Sequence, residues 1–224
     1  MRLPPEIPEA EQRRRVVQAC RRLHDLGLIA GGEGNVSVRL GPRRILATPA
    51  GVNKGRLEEH QLVVTNLLGE KITGRGKPSS ELPMHLAAYR VRSDVGAVVH
   101  AHPPTAVALT LAGVSLEEPL MAEAVTALGG GIPTARYATP STEEMAEVVS
   151  KPLLYHDGVL MERHGAIAVG ADLGVAMDRM ETIERVAQIV LRARAAGASP
   201  LPLPKDEVDR LLQLSGRASP KSAP

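Results

Sequence analysis

Residues 95–104 read Val-Gly-Ala-Val-Val-His-Ala-His-Pro-Pro, a short apolar run that closes on two histidines and two prolines. Its length and its Gly and Pro boundaries predict a buried strand ending at the prolines. Side chains alternate along a strand, so Val98, His100 and His102 share one face while Val99 and Ala101 take the other. A polar atom buried without a partner costs about 1–3 kcal/mol. Two adjacent imidazoles therefore need either ordinary hydrogen-bond partners or a shared cation. Neutral imidazole is a common zinc ligand, and catalytic zinc sites usually take three protein ligands and keep a position open. The pair alone leaves both possibilities standing.

Outward from this strand, the apolar spacing of Val16, Val17, Ala19, Cys20, Leu23 and Leu26 predicts a helix over 9–26 that Gly27 closes. A glycine-rich loop leads into alternation at Val36 and Val38, and residues 43–51 add a second strand, giving a hairpin. Residues 61–73 repeat that pattern. Over 79–92 a helix is expected, with Ser79 or Ser80 as N-cap and Pro83 in the first turn. Further helices are expected over 104–112, 141–157 and 173–195, and a strand follows His164. The stretch 197–204 reads as a linker, 205–214 as a short helix, and the last residues as a flexible tail. Strands and helices mix without strict alternation, which predicts an α/β sheet covered by helices on both faces.

The chain has 224 residues, 43% hydrophobic and 23% charged, which suits one globular domain. It has no Trp or Phe and three Tyr, so Leu, Val, Ile and Ala must fill the interior. A formal charge of +2 and the lack of aromatic stacking platforms argue against nucleic acid. Cys20 is the lone cysteine, and neither a signal-peptide pattern nor an apolar run of about 18 residues is present, so a reducing, cytoplasmic setting away from membranes is expected.

Around the histidine pair stand other candidates. Ser79 and Ser80 precede Glu81 at a helix start, and His164 stands ahead of another strand. A third imidazole and a carboxylate delivered at element ends would complete a metal site. Three stretches could hold an anion: GEGNVS at 32–37, TPAG at 48–51 and the Ser-Ser-Glu helix start. GEGNVS is neither a P-loop nor a dinucleotide fingerprint. Lys54 and Lys77 read as solvated loop charges that could assist a phosphate. His85, four residues after Glu81, reads as a packing or orienting residue; His24, His60 and His156 as structural or surface groups. Tyr89 is expected to pack, and Tyr137 to border a cleft.

The ordered set GNVSVR (34–39), TPAG (48–51), KPSSELPMHLAAYRVRSDVGAVVHAHPPTAVAL (77–109) and HGAIAVG (164–170) resembles the class II aldolase and adducin family over residues 10–195. The resemblance implies a single catalytic domain over 9–196, after a lead-in of residues 1–8 and before the 197–224 tail. It implies a central, largely antiparallel sheet sandwiched by helices and a homotetramer with active sites between subunits. Zinc would be held by His100, His102 and His164, with Glu81 approaching the metal and acting as acid and base. Gly34, Asn35, Ala50, Gly51, Ser79 and Ser80 fall on positions that hold a substrate phosphate. The implied reaction is reversible cleavage of a ketose 1-phosphate, of the L-fuculose 1-phosphate type, to dihydroxyacetone phosphate and an aldehyde through an enediolate.

Two departures from the family pattern stand out. Ala50 replaces a threonine, leaving only its backbone N–H for a phosphate. The tyrosines that handle the aldehyde end have no counterpart in LMAEAVTALGG (120–130) or RLLQLSG (210–216), so aldehyde choice should be loose or shifted. Relatives of other activity, the 4-epimerases, dehydratases and decarboxylases, remain alternatives. The glutamate after Ser-Ser favours aldolases over epimerases, where an aspartate stands. A non-catalytic adducin-like protein would be expected to have lost metal ligands that this chain keeps.

Overall fold

A computed structural model describes residues 7–217. The lead-in residues 1–6 and the tail residues 218–224 lie outside the described residues. Helix α1 (Glu9–Asp25) buries Val16, Val17, Ala19, Cys20 and Leu23, the stripe its periodicity predicts. It stops because Gly27 turns left-handed, at φ +69°. The Leu28 N–H then reaches back to the Leu23 carbonyl at 2.9 Å and the Gly27 N–H to His24 at 3.0 Å, which satisfies carbonyls the helix end would otherwise strand.

The elements that follow are β1 (Asn35–Arg39), β2 (Ile45–Ala47), β3 (Val63–Thr65), β4 (Lys71–Thr73), α2 (Leu82–Val91), β5 (Ala97–Ala101) and α3 (Pro104–Leu111). Then come α4 (Ala122–Leu128), β6 (Thr134–Ala135), α5 (Glu143–Leu153), β7 (Gly158–Met161), β8 (Gly165–Gly170), α6 (Leu173–Ala195) and α7 (Lys205–Leu214). One eight-stranded sheet runs in the order β4-β3-β2-β1-β5-β8-β7-β6. Every pairing is antiparallel except β6 with β7. The β5 segment that decides the fold lies at the centre, between β1 and β8.

Alternation splits the core into two layers. Val36, Val38, Val99, Ala101, Ala166 and Ala168 face one side with α1, α3, α4 and α6. Val98, Val159, Met161, Ile167 and Val169 face the other, with α2 and α5. The sheet is thus sandwiched between helices, as expected. With neither Trp nor Phe available, small and aliphatic side chains fill both layers.

Four local features differ from expectation. Helix α2 opens after Glu81 rather than at a serine cap; the Ser79 hydroxyl accepts the Glu81 N–H at 3.3 Å, and Pro83 does sit in the first turn. The helix expected over 141–157 spans Glu143–Leu153, and residues 158–161, for which no element was expected, form β7. Helix α4 and strand β6 were not anticipated from sequence. Ser215–Arg217 are anchored rather than frayed: Arg217 donates to Asp157 Oδ2 at 2.7 Å and to the Ala127 carbonyl at 2.6 Å.

Candidate active site

Neighbouring strands bring the candidate ligands to one end of the sheet. Asn35 on β1 lies directly across from His100 on β5, and Ala101 pairs with Ala166 at the start of β8. His102 stands just past β5, its N–H held by the Leu28 carbonyl at 2.8 Å. Pro103 and Pro104 then turn the chain into α3. The N–H groups of Thr105 and Ala106, which have no partner within the helix at its start, are capped by the buried Glu184 carboxylate of α6, at 3.1–3.2 Å. The base of His102 is therefore fixed from both sides.

His164 occupies the tight β7–β8 connection. Arg163 there adopts a left-handed φ of 59°, stabilised by its N–H donating to Thr110 Oγ1 at 3.0 Å. Gly165, next in line, lets the strands close on the rings. A Cβ at this position would stand 2.9 Å from His102 Cδ2 and 3.0 Å from His100 Cε1, and would press on the Ala101 carbonyl oxygen.

The three imidazoles meet. Their ring centroids are 4.8–5.0 Å apart, and one nitrogen from each lies within 4.8 Å of the others. Glu81 spans two of them, with Oε1 2.9 Å from His164 Nε2 and Oε2 3.2 Å from His100 Nε2. Asn35 Nδ2 donates to Oε2 at 2.8 Å.

Proton accounting shows what this arrangement lacks. His100 Nδ1 faces the Ala166 carbonyl at 2.9 Å, a contact that only an N–H satisfies, which leaves Nε2 as the nitrogen turned toward the cluster. That nitrogen faces Glu81 Oε2 at 3.2 Å and also His102 Nε2 at 3.1 Å. Acceptors converging at this range repel unless a proton or a cation sits among them. Burial, then the charges of His100 and His164, pulls the His102 pKa down to about 3, so its ring is neutral. Burial would raise the Glu81 pKa, but hydrogen bonds and charge from His100 and His164 outweigh it and hold the carboxyl well below the usual range. Three converging imidazoles beside an ionised carboxylate suit a divalent ion, and the residues present fit one.

The anion-binding candidates also adjoin, with altered duties. The TPAG turn and the Ser-Ser segment are stitched by Ser79 N–H to the Thr48 carbonyl at 3.2 Å and Ala50 N–H to Lys77 at 2.9 Å. Ala50 therefore has no free N–H for a phosphate, contrary to expectation. The Asn35 side chain is committed to Glu81, and its Oδ1 is buried without a partner. Gly34, at φ +65°, allows close approach to the His100 carbonyl. Gly51 (φ +71°) and the Ser79 and Ser80 hydroxyls remain at the rim. Ser141 donates to Ser80 Oγ at 2.9 Å.

Lys54 corrects the sequence reading outright. It is 2% exposed rather than solvated, and its Nζ donates to the Gly32 carbonyl at 3.0 Å and to Val52 at 2.8 Å. It clasps the two glycine loops together. A sequence cannot distinguish this lysine from a surface one, because its carbonyl cage comes from two separate turns. Lys77 is exposed, as are His24 and His60, as expected, and Tyr137 is half-exposed. Buried Cys20, its thiol pushed up to about 12 by burial, is no nucleophile.

The model of the class II aldolase and adducin N-terminal domain matches residues 14–191. The 5-deoxy-D-ribulose 1-phosphate aldolase of Bacillus thuringiensis is 33% identical over 90% of this chain and 93% of its own length. The 3-oxo-tetronate 4-phosphate decarboxylase of Haemophilus influenzae is 34% identical over 82% of this chain and 88% of its own. A solved L-fuculose 1-phosphate aldolase superposes with a TM-score of 0.86 at 27% identity, covering 94% of this chain and 99% of that one. By fold, by ligand geometry and by these matches, the chain belongs to the class II aldolase and adducin family.

Proposed function

We propose that the chain is a zinc-dependent aldolase that reversibly cleaves a ketose 1-phosphate to dihydroxyacetone phosphate and an aldehyde. The observation that carries this reading is the convergence of His100, His102 and His164 with Glu81 bridging two of them. These three imidazoles would hold the ion, which when bound supplies positive charge to offset charge developing on substrate oxygens.

The chain's own residues account for the proton. In cleavage the C4 hydroxyl gives its proton to water as C4 becomes the aldehyde carbonyl, the C3–C4 bond breaks with its electron pair delocalised as an enediolate, and C3 takes up a proton to release dihydroxyacetone phosphate. Glu81, oriented by the Asn35 amide, delivers that proton and removes it in the reverse direction. No lysine is required, and buried Lys54 serves the loops. The phosphate lies at the rim formed by Gly51, Ser79 and Ser80, with Gly34 buried behind it, where loop backbone and hydroxyl donors meet the start of α2.

The two segments lacking family tyrosines, 120–130 and 210–216, contribute α4 and α7, which pack on each other. The aldehyde end therefore meets no phenol from either, and we expect discrimination among aldehydes to be weak. A homotetramer with sites between subunits and a cytoplasmic setting belong to the same reading. Among the described residues, no helix is long and apolar enough to cross a membrane.

A panel of ketose 1-phosphates supplied with zinc tests the proposal. Release of dihydroxyacetone phosphate from several members, without strong preference for L-fuculose 1-phosphate, is expected. Carbon dioxide release from a 3-oxo sugar-acid phosphate, with no cleavage of any ketose 1-phosphate, would replace aldol chemistry with decarboxylation.

A further inference from the structure

Beneath Glu81 runs a buried polar row that no step above uses. Tyr89 OH lies 2.9 Å from Ser37 Oγ, which lies 2.8 Å from His85 Nδ1. All three residues are buried, and His85 Nε2 is buried without a partner. Ser37 sits two residues after Asn35 on the same face of β1, and His85 one helical turn after Glu81.

Proton bookkeeping fixes the tautomer. Ser37 is the side-chain partner of the buried phenol, so using the Tyr89 hydrogen means donating it to Ser37 Oγ. The Ser37 hydrogen then goes to His85 Nδ1, which must accept. The reverse order strands the phenol hydrogen, buried and without an acceptor. His85 therefore carries its proton on Nε2, as a neutral donor awaiting an acceptor.

We propose that His85 is a positioning residue that presents this Nε2–H to the Glu81 carboxylate when a metal ion claims the ring nitrogens of His100 and His164. The inference rests on the functional reading above. Those nitrogens cannot both bind an ion and donate to Glu81, so metal loading removes two of the three contacts the carboxylate has, leaving Asn35. Of the nearby donors, His85 Nε2–H is buried and unpaired. Gained there, it would hold Glu81 in one orientation for proton exchange, while Tyr89 and Ser37 keep the imidazole in the required tautomer.

Ring-nitrogen NMR of zinc-loaded protein labelled at histidine tests this without turnover. The expected result is His85 protonated at Nε2, with that proton's resonance shifting in Glu81→Gln, whose amide oxygen is a weaker acceptor. Kinetically, His85→Leu should retain zinc and KM while losing about 10–100-fold in kcat, as supporting residues around metal sites do. His85→Gln, whose amide can donate from the Nε2 position, should recover most of it. A proton on Nδ1, a resonance indifferent to Glu81→Gln, or equal kcat for the Leu and Gln variants would overturn the proposal. Wild-type protein inactive on every ketose phosphate would instead defeat the aldolase reading, with the NMR result still deciding the His85–Glu81 contact.

Discussion

Glu81→Gln is expected to leave zinc bound and to slow proton exchange by about 10²–10⁴-fold. The three imidazoles come from β5, its C-terminal extension and the β7–β8 turn, none of which depends on Glu81 for its backbone course. Glutamine keeps the length and an oxygen that can still accept from Asn35 Nδ2, now at 2.8 Å. What it cannot do is take up a proton at working pH. General acid–base groups contribute about 10²–10⁴-fold, so incorporation of solvent deuterium into dihydroxyacetone phosphate should fall by that factor. Exchange at the wild-type rate would remove Glu81 from the proton path.

Gly165→Ala should damage the site without touching a ligand. The added methyl would press on the Ala101 carbonyl and approach two imidazole carbons at 2.9 and 3.0 Å. The carbonyl belongs to the central strand and cannot yield, so the rings or the β7–β8 turn must. Overpacking of this kind costs about 1–3 kcal/mol, a fall in Tm of about 2–4 °C per kcal/mol for a chain of this size. Zinc affinity should weaken by about 10–100-fold, as when other supports of metal ligands are disturbed. Gly113→Ala is the control: its φ is +67°, yet nothing stands within 4 Å of the new Cβ, so it should cost stability alone. Equal zinc affinity in the two variants would show that the close approach at Gly165 is not what seats the rings.

Much of this was legible because its signals are local. The α1 stripe and the 23-residue α6 carry periods that the chain alone displays, and β5 is an apolar run bounded by Gly96 and two prolines. The His-x-His spacing on β5 likewise needs no tertiary information to put two rings on one face. What escaped was short or long-range. Strand β6 has two residues and β7 four, too few to show a period, and α4 spans seven. The burial of Lys54, the use of the Ala50 N–H by Lys77 and the commitment of Asn35 to Glu81 each arise between segments far apart in sequence. Ser141, left-handed at φ 66° and bonded to Ser80, joins the rim through a contact across 61 positions.

Zinc titration of chelator-treated protein, in wild type and in His164→Ala, puts the greatest weight on the assembled triad. Saturation near one equivalent per chain in the wild type, with affinity lost in the variant, is the expected result. Wild-type protein that takes up no zinc, or a His164→Ala protein that binds it as tightly, would contradict a shared metal centre at this end of the sheet.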